Sequence, residues 1–149
     1  MSNIRIFVSH RIDIDSETVD TPVYFPVRCG AVYDEEGNSE IQGDDTGDNI
    51  SKLRMSFCEF TVQYWAWKNV DADYYGLCHY RRYLSFSDKH YNNTAFNMVR
   101  ELRLTAHEKK KYHLDDTQRI NNVVQKYAAS VSAVRAASKS LLSMVRLAV

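Results

Sequence analysis

Hydrophobic and polar positions divide the chain into short, alternating runs. Ile4-Arg5-Ile6-Phe7-Val8-Ser9 is rich in β-branched and aromatic residues and stops at His10-Arg11, which predicts a first strand. Thr21 to Val27 also reads as extended, its two prolines favouring a loop or a sheet edge. Glycine-punctuated acidic loops follow over 34–38 and 43–51. Ser56 and Glu59 have capping-box spacing, and Phe60, Tyr64 and Trp67 at i, i+4 and i+7 share one face of a helix that stops near Asn69. The run Tyr64-Trp65-Ala66-Trp67 is expected in the core. Tyr74 to Cys78 predicts a buried strand ending at His79. Strand, loops, helix and strand in that order predict an α/β fold with a mostly parallel sheet.

Beyond Leu84 the pattern changes. Residues 94–104 are helix-compatible. Thr105 and Glu108 repeat the capping-box spacing before a short helix through Lys111, and Asp115 or Asp116 is placed to cap another through Tyr127. The last 22 residues, 128–149, hold no acid and no aromatic and are nearly all Ala, Ser, Val and Leu, with three basic residues. Their stripe of Val134, Leu141, Val145 and Ala148 fits an amphipathic helix on a membrane surface; the favoured alternative is a tail that packs loosely on the sheet or is disordered.

Charge alters this picture. The 149 residues carry 19 Lys+Arg against 19 Asp+Glu, yet 14 of the acids and only 6 of the basic residues precede Leu77. The balanced total argues against a nucleic-acid binder, and Lys109-Lys110-Lys111 reads as a solvated helix face. No apolar run approaches the length of a membrane span. Cys29, Cys58 and Cys78 lack metal or disulfide spacing and are expected to be buried thiols of a reducing compartment.

Three groups could carry chemistry. Asp44, Asp45, Asp48 and Asn49 crowd one loop; a divalent metal or a ribose would relieve their repulsion, as would a turn bonding its own backbone. His79, Arg81 and Arg82 follow a strand end, where open α/β sheets bind ligands, and paired guanidinium groups suit phosphate. His10 and Arg11 occupy the corresponding place after the first strand. If these strands are parallel neighbours, all these side chains could face one crevice. Asp71-Ala72-Asp73 precedes a strand and is expected to be a turn rather than a metal site.

Together, Cys58-Glu59-Phe60-Thr61, Tyr64-Trp65-Ala66-Trp67-Lys68-Asn69, Asp73 through Tyr83, and Asp44-Asp45-Thr46-Gly47-Asp48-Asn49-Ile50-Ser51 resemble the signature of the bacterial family called domain of unknown function 4422. The opening Ile6-Phe7-Val8-Ser9-His10 and Pro26 to Ala31 fit as well, so the resemblance covers residues 4–83, and more weakly those up to Tyr127. It implies a partial GT-A-like, Rossmann-like sheet with flanking helices and a helical C-terminal tail. It implies a glycosyltransferase of surface or capsular polysaccharide synthesis, moving galactose or galactofuranose from a nucleotide-diphospho-sugar. On this basis residues 1–127 are the N-terminal part of such a domain, and 128–149 a truncated or atypical tail. The donor, a UDP-sugar, would meet His10, Arg11, His79, Arg81 and Arg82. Asp44, Asp45, Asp48 and Asn49 would form a ribose or metal loop, with Asp45 and Asp48 holding Mg or Mn. The acceptor would be a glycan or lipid-linked, and the protein cytoplasmic, at the inner face of the membrane. The alternative is a non-catalytic nucleotide-sugar-binding or interaction module, or an inactive fragment.

Overall fold

The computed structural model describes residues 2–14, 16–37, 40–89, 91, 99–135 and 147–148. The chain divides into two compact units, Ser2–Arg81 and Arg82–Val149.

The first unit is built on four parallel strands in the order β3-β2-β1-β4: β1 (Ile4–His10), β2 (Tyr24–Arg28), β3 (Gln42–Gly43) and β4 (Tyr74–His79). β1 is the central strand, and its apolar run is buried nearly throughout, as a parallel strand covered on both faces requires. Pro26 sits inside β2 without disrupting it. Val23 O and Cys29 N bond to β1, so the alternation turns Pro26 toward β3, which pairs only with Val27 and Arg28. The donor that proline lacks would have had no partner there.

Two short helices follow β3: α1 (Arg54–Phe57), entered from a 3₁₀ turn, and α2 (Phe60–Asn69). α2 lays Val62, Trp65 and Ala66 on Phe7, Val27 and Cys29, with Phe25, Val70 and Leu77 at the margin. Trp65 meets Phe7 edge-on at 6.4 Å and stacks on Phe25 at 6.3 Å. The helix therefore faces the sheet with its Thr61-Val62-Trp65-Ala66 stripe. Of the run Tyr64 to Trp67 expected in the core, Trp65 and Ala66 are buried there, but Trp67 is 62% exposed on the outer side of α2, as is Phe60 at 61%. The expected capping box is also absent. Ser56 lies within α1, and Glu59, at the start of α2, makes no side-chain cap. Of the three thiols, Cys29 and Cys78 are buried but Cys58 is exposed, in the bend between the helices at φ 47°. Asp71 and Asp73 form a turn beneath the sheet's amino edge, where the Asp73 carboxylate accepts Asn3 N–H at 2.8 Å.

The second unit holds α3 (Ala106–Lys111), α4 (Thr117–Arg135) and a two-residue parallel pairing of β5 (Val99–Arg100) with β6 (Leu147–Ala148). Thr105 and Glu108 bond each other through their side chains, so Thr105 makes no side-chain cap to the α3 backbone as a capping box would, whereas Asp116 caps α4 by accepting Arg119 N–H at 2.8 Å. Of the helix-compatible 94–104, residues 94–98 lie outside the described residues, and Val99–Arg100 is strand because it pairs with Leu147–Ala148. Of the tail, Ala128 to Arg135 continue α4, Ala148 is in β6, and 136–146 lie outside the described residues. No helix among the described residues is long and apolar enough to cross a membrane.

Candidate functional site at the carboxyl edge of the sheet

Because the four strands are parallel, their carboxyl ends share one edge. The chain runs outward from β1 through β2 to β3, then returns to place β4 on the other side of β1. The reversal leaves a topological switch point between the ends of β1 and β4, the place where sheets of this kind bind ligands. His10 and His79 end those strands.

The register decides which way they point. His79 is paired with Ser9, not with His10. It therefore lies on the α2 face, with its Nε2 3.6 Å from the Glu59 carboxylate and its Nδ1 accepting Arg81 N–H at 3.2 Å. His10 lies on the opposite face, 2% exposed, with Ser16 Oγ 2.7 Å from its Nδ1. Burial, reinforced by His79, lowers its pKa below the ordinary histidine value and favours the neutral ring. So the two histidines share an edge but not a face, and His10 is an uncharged, buried support rather than an open cation.

Tyr80 joins the predicted residues. Its ring centroid is 4.3 Å from that of His79 and 6.3 Å from that of His10, and the Arg81 guanidinium stacks on it at 5.0 Å. Arg11 also reaches Tyr80, but its main partner is Asp13, whose carboxyl it holds below the usual range. Arg82 begins the second unit. Arg54 was not foreseen: its stem crosses Gly30, and its guanidinium acts on the Asp13 carboxylate. A Cβ on Gly30, at φ 71°, would stand 2.1 Å from Arg54 Cδ, so a bare backbone is what admits that side chain. Arg11, Arg54 and Arg81 thus supply the positive charge of this unit's carboxyl edge.

The acidic loop is two things. Asp44 is fully buried. Its oxygens accept Gly30 and Ala31 N–H, both at 2.9 Å, and the hydroxyls of Ser51 at 2.6 Å and Thr61 at 2.5 Å. With four donors in place, Asp44 is a staple between the β2 turn and α2, not an open ligand group. The rest of the loop is stitched to α2. Thr46 accepts from the Trp65 indole at 3.0 Å, Asn69 brackets Asp48 through both its N–H and its C=O, and Asn49 bonds the Asp45 and Gly47 carbonyls. Asp45 and Asp48 are exposed; Asp48 accepts from Tyr64 at 3.1 Å and is 3.8 Å from Lys68. Among the described residues no three His, Cys, Asp or Glu side chains come together to hold a metal ion.

No curated protein matches the chain. Among solved structures, the apo structure of the WbbM bifunctional glycosyltransferase matches with a TM-score of 0.72 and 32% identity over 82% of this chain. The chain spans 21% of that protein's length. The fold is accordingly glycosyltransferase-like. The family model described as domain of unknown function DUF4422 matches residues 5–145, taking in most of the Ala/Ser/Val-rich segment, and the chain belongs to that family.

Proposed function

We propose that the unit Ser2–Arg81 binds the nucleotide-diphosphate part of a sugar donor, as part of a glycosyltransferase that builds a bacterial surface polysaccharide at the cytoplasmic face of the membrane. The observation that carries this is the meeting of Arg11, Arg81 and both strand-end histidines around Tyr80, at the switch point of a parallel sheet. The 32% identity to a bifunctional glycosyltransferase supports it.

In sugar transfer the bond from the anomeric carbon to the diphosphate breaks, and negative charge grows on the departing oxygen. Fixed cations aimed there act mainly on the transition state. Arg81, with its plane set by stacking on Tyr80, and Arg54, held across Gly30, suit that role. Neutral His10 props Tyr80 from below and brings no competing charge. Asp45 and Asp48 are the exposed carboxylates of the acidic loop, but Asp48 is tied to Tyr64, Lys68 and Asn69 at the end of α2 away from His79, so they do not fit a magnesium or manganese ion on this diphosphate, and the arginines supply the stabilising charge. The acceptor would be a glycan or a lipid-linked sugar.

Titration calorimetry with UDP, with and without Mn²⁺, tests this. Heat in either condition, reduced in Arg81→Ala, is expected. Absence of heat in both would overturn the donor site, and binding without hydrolysis or transfer would favour a non-catalytic binding module.

A further inference from the structure

We propose that the outer face of α1 and α2 docks on an anionic lipid bilayer. This goes beyond the donor site and does not depend on it.

Nine large apolar side chains are strongly exposed among the described residues of the first unit, and five of them fall between Leu53 and Trp67. Met55 is 88% exposed. Phe60, Gln63, Tyr64 and Trp67 follow one another at helical spacing along the outside of α2. With Ile50 and Phe57 they line an open cleft of about 350 Å³. Packing on the sheet does not account for them, since the opposite stripe of α2 does that work. Single exposed apolar residues are ordinary, but a continuous aromatic cleft marks a contact surface.

Charge identifies the occupant. Residues 2–81 carry 14 acids against 7 basic residues, a balance of −7, whereas the outer face of α1 and α2 holds Lys52 and Lys68 against Asp48, Arg54 and Glu59 being turned to the sheet's edge, a balance of +1. The apolar face is thus the basic part of an acidic unit. Lys68 Nζ lies 4.1 Å from the Trp67 ring centroid, so its stem follows the face and its charge sits at the rim. Asp48 meets this face at the Tyr64 hydroxyl, but Lys68 offsets it locally. Aromatic rings flanked by lysines match a bilayer interface: the rings enter the headgroup layer and the cations reach lipid phosphates.

Sedimentation of the full chain with vesicles tests this. Binding to vesicles containing phosphatidylglycerol, but not to phosphatidylcholine alone, is expected, and it should fall with salt. Phe60→Ser and Trp67→Ser should each reduce it about tenfold, the scale of one lost aromatic anchor. Lys52→Glu should weaken it on the anionic vesicles. Circular dichroism of each variant establishes that it is folded. No sedimentation, or sedimentation indifferent to Phe60→Ser and Trp67→Ser, would overturn the proposal. So would a dimer that these substitutions dissociate, or an oligosaccharide that quenches Trp67 without lipid, since these would assign the face to a second copy or to a glycan. UDP binding is measured on the same variants and should be unchanged, which separates this surface from the donor site.

Discussion

Asp44→Ala should be one of the most damaging substitutions in the first unit, and its cost can be worked from the contacts it removes. Four donors converge on this buried carboxylate. One of them has another acceptor: Thr61 Oγ1 already lies 3.1 Å from Cys58 O, whereas Ser51 Oγ accepts Val32 N–H but keeps no second acceptor for its own hydrogen among the described contacts, which adds to the cost of the amides. The amides of Gly30 and Ala31 donate only to Asp44 among the described contacts. Stranding a buried amide costs about 1–3 kcal/mol, so the pair should cost about 2–6 kcal/mol. In Asp44→Asn one oxygen survives, one amide is stranded, and the new NH₂ group faces an existing donor; about half the alanine effect is expected. Urea unfolding followed by Trp65 fluorescence reports on the right unit, because that indole packs on Phe7 and bonds Thr46. The midpoint should fall with little change in slope. A loss below about 1 kcal/mol in Asp44→Ala would refute the staple. So would folded Asp44→Ala that binds UDP much more weakly, since the carboxylate would then belong to a ligand.

Arg81→Ala and Arg54→Ala should each weaken UDP binding by roughly tenfold, the scale of one charge-assisted hydrogen bond, as read by calorimetry; unchanged affinity in both would return them to the surface. Gly47→Ala should destabilise the acidic loop, because a Cβ at this φ of 56° would stand 2.0 Å from Asn69 Oδ1, which holds Asp48 N–H; faster amide exchange at Asp48 with Trp65 still buried is the expected pattern. His10 sets a pH dependence. Its folded pKa is depressed, so the unfolded chain takes up a proton first as pH falls below about 6.5, and stability should drop through the window beneath that value. Thermal melts at pH 7.5 and 5.5 should show a smaller drop in His10→Gln than in the parent; equal drops would remove His10 as the cause.

Sequence periodicity located β1, β2, α2 and β4, missed β3 and α1, and chose the inner side of α2 only in part, with Trp65 and Ala66 buried but Trp67 outside, and the reason is specific. Both sides of that helix are rich in large apolar residues: Phe60, Tyr64 and Trp67 on one, Val62, Trp65 and Ala66 on the other. A period of 3.6 is satisfied by either. The sheet accepts the side that mixes one large ring with smaller residues, because Phe7 and Phe25 already fill the space beside Trp65. The candidate site was legible as a sheet edge, from two apolar runs that each end in His and Arg. Its internal arrangement was not. Ser9, rather than His10, pairs with His79, and that single step of register sends the two histidines to opposite faces. Arg54, in α1, and Glu59, just before α2, lie 24 and 20 residues before Cys78 and His79. What brings them to the edge is tertiary: a bare Gly30 under the Arg54 stem and an uncapped helix start that leaves Glu59 free to meet His79.

A motif mixes residues that hold a shape with residues that act, and structural duty is what separates them here. In the acidic loop, Asp44 is saturated, Thr46 is spent on Trp65, Asn49 on the loop's own carbonyls, and Gly47 makes room for Asn69. In α2, Thr61, Trp65 and Asn69 are the other half of the same joint. Subtracting these leaves Asp45 and, shared with Tyr64 and Lys68, Asp48. At the strand ends, His10 is buried and His79 is held by Glu59 and Arg81 N–H, which leaves the Arg81 side chain and the Arg54 guanidinium. The remainder is two cations at the carboxyl edge and two exposed carboxylates in a loop that runs along α2 toward Asn69, the end of the helix away from His79, so the arginines alone stand where the proposed diphosphate would lie. The same subtraction applied to α2 leaves Phe60 and Trp67 without a role in the fold. Donor binding therefore should survive Phe60→Ser and Trp67→Ser but fail with Arg81→Ala, whereas unfolding should follow Asp44→Ala alone among them.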